Sequence, residues 1–263
     1  MIKAIFFDID GTLVSFRTHE IPDSTRYALK ELQEKGIKLF IATGRSPVQI
    51  DFLKENTEFS FDGYITMNGQ YCYNQEGVIR EQALEREDLI ALLPYLEEHP
   101  EIGSSFVELD YVYFDRLTDR IQAMWDGLGK TAPKLNFDTP SRVKEQKTYQ
   151  LSSYIREEEE EEFLKHMPNC KSARWHETFT DIIPKDGGKT AGIQAVLEHY
   201  GIKKEECMAF GDGGNDKDML QYAGIGIAMG NATEDVKQVA DYVTKDIDED
   251  GILHGLRQFH VLD

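Results

Sequence analysis

Apolar residues early in the chain fall in short runs separated by polar turns. Ile2 to Phe7 is nearly all apolar, which predicts a buried strand, and it stops at Asp8-Ile9-Asp10-Gly11-Thr12. Pro22-Asp23-Ser24-Thr25 opens a predicted helix with Ala28, Leu29 and Leu32 on one face and Gly36 as its stop. Ile37 to Ala42 reads as a second strand ending at Thr43-Gly44-Arg45. Ser46 and Pro47 suit an N-cap and first helical position, for a helix running to about Glu55. Tyr64 to Met67 is a third strand closing on Asn68-Gly69, a turn signal, and Tyr71 to Ile79 reads as a small hairpin.

The texture changes after about Glu81. Arg86 to Glu98 suits a helix, Gly103 to Phe114 two strands broken at Glu108 to Asp110, and Leu117 to Leu128 another helix. Lys147 to Ile155, Ser172 to Trp175 and Phe179 to Ile183 read as strands. From Pro184 the first texture returns. A helix over Thr190 to Tyr200 precedes a strand, Glu206 to Phe210, which ends at Gly211-Asp212-Gly213-Gly214-Asn215-Asp216. Lys217 to Tyr222 is helical and Ile225 to Met229 is a strand. Asn231-Ala232-Thr233-Glu234 has the form of a capping box for a helix through Val239, and Tyr242-Val243 begins the last strand. Strands alternating with helices at both ends predict an α/β fold with a parallel sheet. The expected organisation is a discontinuous core domain, residues 1–81 and 185–263, interrupted by an α+β domain over 82–184.

With 263 residues, 40 % of them hydrophobic, the chain can bury a sizeable core. No apolar stretch approaches the ~20 residues of a membrane span. Lys3 is the only early base and the apolar run ends at Asp8, so no secretion signal is expected. Cys72, Cys170 and Cys207 have no metal-ligand spacing, and their odd count and long gaps suit free thiols in a cytoplasmic protein. A net charge of -19 disfavours nucleic acid and anionic membranes as partners. It would also repel an anionic ligand, so local cations, a metal and backbone amides would have to attract one. Part of the charge is six glutamates, Glu157 to Glu162, read as the solvated start of a helix continuing through Phe163, Leu164 and Met167.

Alternation puts Asp8 and Asp10 on the same side of an extended segment, at the carboxyl end of a buried strand where open α/β sheets bind ligands. Side by side the two carboxylates repel unless a cation is present, and oxygen ligands suit a hard divalent metal. Lys189 starts a helix, where a cation works against the dipole and wants a reason. Gly187-Gly188-Lys189-Thr190 is similar to a P-loop ending, but Ile183 stands where the first glycine should be. Asp212 to Asp216 lacks the twelve-position pattern of an EF-hand. Trp175-His176 could stack on a sugar, although a core tryptophan beside an exposed histidine is the plainer reading.

Asp8-Ile9-Asp10-Gly11-Thr12, Thr43-Gly44-Arg45, Lys189 and Gly211-to-Asp216, in that order and at strand ends, resemble the haloacid dehalogenase (HAD) superfamily, mostly phosphatases. The position and texture of the insertion, and Asn68-Gly69, resemble its Cof-type sugar-phosphatase branch with a class IIB cap. The resemblance implies a Rossmann-like core with an inserted α+β cap that closes over the crevice and chooses the leaving group. It implies Asp8 as nucleophile, Asp10 as general acid/base and Lys189 as their catalytic partner. Thr43, Gly44, Lys189 and Asn215 would bind phosphate. Asp8, Asp10 through its backbone carbonyl, and Asp212 would hold Mg²⁺, with Asp216 as a direct or outer partner. Asn68 and Gly69 would lie on the substrate side. The implied activity is Mg²⁺-dependent hydrolysis of small phosphorylated metabolites, such as sugar phosphates, through an aspartyl-phosphate. A phosphomutase using the same intermediate is the alternative, followed by a phosphate-binding or signalling protein without turnover. The oligomeric state stays open.

Overall fold

The computed structural model describes residues 1–55, 59–128 and 135–263. It divides into two compact units. The first comprises Met1–Arg45, Ile50–Glu81 and Gly188–Asp263, and the second Ser46–Gln49 and Gln82–Gly187.

In the first unit, β1 (Ala4–Phe7) is wholly buried, as an unbroken apolar run at the centre of a parallel sheet should be. It pairs in parallel with β2 (Lys38–Ala42) on one side, Ala4 opposite Lys38. The helix between them is α1 (Asp23–Glu34). Next along that side come β3 (Gly63–Thr66), parallel, and the antiparallel strands β4 (Tyr71–Asn74) and β5 (Gly77–Glu81).

The sequence reading of one helix over Ser46 to Glu55 needs correction. A 3₁₀ turn covers Pro47–Gln49, and a separate short helix, α2, covers Asp51–Glu55. Gln49 Oε1 takes the Ser46 amide at 2.9 Å, while the buried Ser46 hydroxyl has no partner. The serine therefore does not act as the cap.

The second unit runs α3 (Arg86–Glu98), β6 (Ser104–Val107), β7 (Val112–Phe114), α4 (Asp119–Leu128), β8 (Gln150–Ser153), α5 (Glu160–Lys165), β9 (Cys170–His176) and β10 (Phe179–Pro184). Its strands form an antiparallel sheet in the order β7-β6-β8-β10-β9. Phe106, Leu151 and Ile182 on one face pack with Leu89, Leu92 and Leu96 of α3 and Phe163 of α5. Trp175 is not in this core. It is partly exposed, edge-on to Phe179, and donates its indole N–H to Asp181 at 3.2 Å.

The first unit then resumes with α6 (Lys189–Tyr200), β11 (Cys207–Gly211), α7 (Lys217–Tyr222), β12 (Ile225–Ala228), α8 (Glu234–Lys237), β13 (Tyr242–Val243) and α9 (Gly251–Gln258). Its eight-stranded sheet has the order β13-β12-β11-β1-β2-β3-β4-β5. Alternate residues of β1 serve opposite layers. Ala4 and Phe6 pack with Ile193, Val196, Met219 and Leu220 of α6 and α7. Ile5 and Phe7 pack with Leu29 and Leu32 of α1 and Ile252 and Leu256 of α9. The result is an α/β three-layer unit whose parallel strands all end at one edge.

Candidate active site

Because β11, β1, β2 and β3 are neighbours and parallel, the loops after them lie side by side at their carboxyl ends, the usual ligand edge of an open α/β sheet. Those loops carry Asp212, Asp8, Thr43 and Asn68. All belong to the first unit.

The Asp8 amide extends the ladder one step, donating to the Phe210 carbonyl at 3.0 Å, and the residue is buried. Lys189 is fully buried, and its Nζ donates to Asp8 Oδ1 at 2.6 Å and to Asp216 Oδ1. These two carboxylates supply the reason a lysine can begin α6. Among the described residues, no hydrogen bond reaches Asp8 Oδ2. Asp216 accepts on both oxygens: besides Lys189 on Oδ1, its Oδ2 takes the amides of Asp212 at 3.0 Å and Gly213 at 2.9 Å. It thereby closes the loop that aims Asp212. Asp212 Oδ1 accepts the Thr12 hydroxyl at 2.7 Å. A Cβ on Gly11, at φ +86°, would stand 2.2 Å from Asp212 Oδ2, so only glycine lets this carboxylate approach.

Asp8, Asp212 and Asp216 each offer an oxygen within 4.8 Å of the other two. Burial raises the Asp8 carboxyl well above the ordinary range; Lys189 opposes this, and the charges of Asp216 and Asp10 add to it. Burial likewise raises Asp212, with the charges of Asp8 and Asp216 adding and the Thr12 hydrogen bond opposing. Lys189 is held protonated: burial disfavours its charge, but Asp216 and Asp8 outweigh that. Hard oxygen donors this close and crowded by one another's charge, two of them sharing one lysine, are a group that could hold a hard divalent cation.

Asp10 is not in this cluster. Arg45 Nε and Nη2 grip its two oxygens at 2.7 Å each, and the guanidinium lies over the Phe52 ring at 5.3 Å. Thr43 is buried, and its hydroxyl accepts the Arg45 amide at 3.1 Å. Gly44 follows it at the end of β2. Asn215 Nδ2 donates to Asn68 Oδ1 at 3.0 Å. Gly69, at φ +89°, leaves no room for a Cβ against the Gly188 carbonyl.

Three residues of the site have no role in the sequence reading. Thr12 and Arg45 stand inside quoted motifs, but which carboxylate each serves depends on the fold. Asn231 is the third, and here the sequence expectation is corrected. Thr233 makes no side-chain capping bond, and α8 spans only Glu234–Lys237. Asn231 instead donates to the Gly11 carbonyl at 2.8 Å and accepts the Ile247 amide at 3.0 Å. Its position just past β12, a fifth parallel strand end, was the available signal.

The model of the haloacid dehalogenase-like hydrolases matches residues 5–256. The chain belongs to that family. The YkrA protein of Bacillus subtilis (strain 168) is 35 % identical over 266 residues, covering 99 % of this chain and 98 % of YkrA. The 5-amino-6-(5-phospho-D-ribitylamino)uracil phosphatase YitU of the same organism is 27 % identical over 98 % of this chain and 97 % of its own. Among solved structures, the HAD subclass IIB sugar phosphatase BT4131 is 42 % identical, with a TM-score of 0.88 over 99 % of this chain and 100 % of that one. This HAD hydrolase is thus a phosphatase of the Cof-type branch, acting on phosphorylated substrates. No helix among the described residues is long and apolar enough to cross a membrane.

Proposed function

We propose that this phosphatase is a Mg²⁺-dependent phosphomonoesterase of small phosphorylated metabolites, sugar phosphates first among them, working through an aspartyl-phosphate on Asp8. The observation that carries the reading is the state of the Asp8 carboxylate: Oδ1 is anchored by a buried lysine, and no hydrogen bond from the described residues reaches Oδ2. In the proposed reaction that oxygen attacks phosphorus, and the bond from phosphorus to the substrate alcohol breaks. Asp10 gives its proton to the departing oxygen. Water then attacks the acyl phosphate and loses a proton to Asp10, releasing phosphate and restoring Asp8. Thr43, Gly44, Lys189 and Asn215 hold the phosphoryl oxygens throughout. A bound Mg²⁺, held by Asp8, Asp212 and the backbone carbonyl of Asp10, would supply charge neutralisation for the phosphoryl oxygens. Asp216 fixes the loop around Asp212. The bidentate Arg45 contact must loosen, or share Asp10, for this carboxyl to transfer protons.

Sugar phosphates are favoured because BT4131 is a sugar phosphatase and the name of YitU describes a phosphorylated ribityl chain. We assign residues 82–184 as the cap domain. With a net charge of -19, we propose small molecules rather than nucleic acid or membranes as partners. Three buried free thiols suit a cytoplasmic setting.

The test is hydrolysis of p-nitrophenyl phosphate, then of a sugar-phosphate panel, with Mg²⁺ and with chelator. Turnover should need the metal, and Asp8→Asn should lower it by roughly 10⁴-fold or more with the fold intact. Wild-type rates in that variant would remove Asp8 as nucleophile. Dependence on a bisphosphate activator would point to a mutase.

A further inference from the structure

Met67, Asn68 and Gly69 form a turn in which three consecutive residues have positive φ, at 51°, 52° and 89°. Two of the three are not glycine, and both are buried, so the surrounding structure holds them in a conformation that L-residues avoid. The contacts show what it is held against. Met67 N–H donates to the Arg45 carbonyl and Asn68 N–H to the Thr43 carbonyl, each at 2.9 Å. Gly69 lies against the Gly188 carbonyl, one residue before Lys189. The Asn68 side chain accepts from Asn215. One left-handed turn thus touches all three loops assigned to phosphate.

A carboxamide offers two N–H donors on one side and a carbonyl oxygen on the other. Rotating the Asn215 amide by half a turn would present its oxygen where an anion needs a donor. The Asn68 acceptor takes one Nδ2 hydrogen of Asn215, which fixes that choice and leaves the second hydrogen to donate.

We infer that Asn68 is a positioning residue: held left-handed by its turn, it sets the Asn215 amide so that an N–H faces the phosphoryl group. This rests on the proposed role of Asn215 as a phosphate ligand. Asn68 acts through Asn215 and need not touch substrate.

The experiment uses inorganic phosphate as a competitive inhibitor of the full-length enzyme and measures what Asn215→Ala costs in three backgrounds. Glycine and aspartate both tolerate a left-handed backbone, so Asn68→Gly removes the carboxamide and its acceptor while permitting the turn, and Asn68→Asp keeps an acceptor in its place. With Asn68 present, Asn215→Ala should weaken phosphate inhibition on the order of 10-fold or more, as loss of a charge-assisted hydrogen bond does. In the Asn68→Asp background the same factor should appear, because the added charge is common to both members of the comparison. In the Asn68→Gly background Asn215→Ala should cost almost nothing further, since the misoriented amide no longer helps. Equal costs in all three backgrounds would overturn the inference. No cost of Asn215→Ala with Asn68 intact would instead overturn the phosphate role of Asn215, and the positioning role with it. If Asn68→Gly fails to fold, the Asn68→Asp comparison can still overturn the inference: a vanished cost in a background that keeps the acceptor shows that the acceptor does not orient Asn215.

Discussion

In the second unit, Glu108 meets Arg142 through two hydrogen bonds of 2.9 and 2.7 Å, and Glu159 meets Arg120 through two of 2.6 and 2.9 Å. In the first unit, Asp8 and Asp216 share Lys189, and Asp212 beside them has a hydroxyl and, among the described residues, no hydrogen-bonded cation. Glu159 on one side and Asp8 and Asp212 on the other respond in opposite directions. Burial tends to raise Glu159, yet Arg120 and Arg156 overcome it and bring the group down to about 2. In the strand-end cluster burial wins, and Asp8 and Asp212 go up. Charge matched in place serves the fold, whereas charge left over waits for a ligand to complete it.

The sharpest way to break this contrast is Lys189→Met, which keeps the bulk and removes the shared cation. Turnover of p-nitrophenyl phosphate should fall by roughly 10³-fold, the scale of losing a preorganised charge donor. Stability in urea should fall by about 3–5 kcal/mol, because Asp8 and Asp216 stay buried without their shared cation. An unchanged rate would make Lys189 merely structural. Glu108→Gln in the second unit should do the reverse. It should leave kcat near wild type and cost about 1–3 kcal/mol, since Arg142 keeps a weaker acceptor. A large loss of kcat there would show that matched charge also serves the chemistry.

The pH response is smaller and more specific. A carboxyl raised in the folded state binds its proton more tightly than in the unfolded chain, so its contribution is lost as pH rises through the folded value. For Asp8 and Asp212 the window runs from the ordinary 3.8 to about 7 and about 8. In chelator, the melting temperature of wild type relative to Asp212→Asn should therefore fall between about pH 5 and pH 8. Added Mg²⁺ should flatten or reverse that slope. A relative melting temperature that rises with pH in chelator would contradict the assigned burial. The smallest effect expected is Lys217→Ala, which removes a 2.8 Å pair with Asp235 on the exposed side of the first unit. It should change stability by no more than about 1 kcal/mol. A larger loss would mean that exposure matters less than the contrast assumes.

The strands of the first unit were legible because a buried parallel strand is a continuous apolar run, as in Ala4–Phe7 and Cys207–Gly211. The site residues at their ends were legible for the same reason, since the end of each run marks the ligand edge. Contacts that join distant loops were not. Nothing local distinguishes Asn231 as a partner for the Gly11 carbonyl from Asn231 as part of a cap, because the two roles need the same side chain. Arg45 is exposed enough to read as a loop residue until β2 and β1 set it beside Asp10. The break at Gln49 escaped because nothing local shows that the Ser46 hydroxyl makes no capping bond, while Gln49 Oε1 reaches back to the Ser46 amide. Trp175 escaped because tryptophan is generally taken for core, and here Asp181 satisfies its N–H at a partly exposed position.

The pairing of β1 with β11 joins Ala4 to Cys207. On the ribosome, at about 5–20 residues per second, the first strand waits roughly 10–40 s for that neighbour to be made. The antiparallel sheet of the second unit, built from residues between Ser104 and Pro184, is complete before then. The order of segments along the chain therefore lets the second unit's sheet form while the first strand still has an unpaired edge. The residues that will become the active site are brought together only once that later strand has been made.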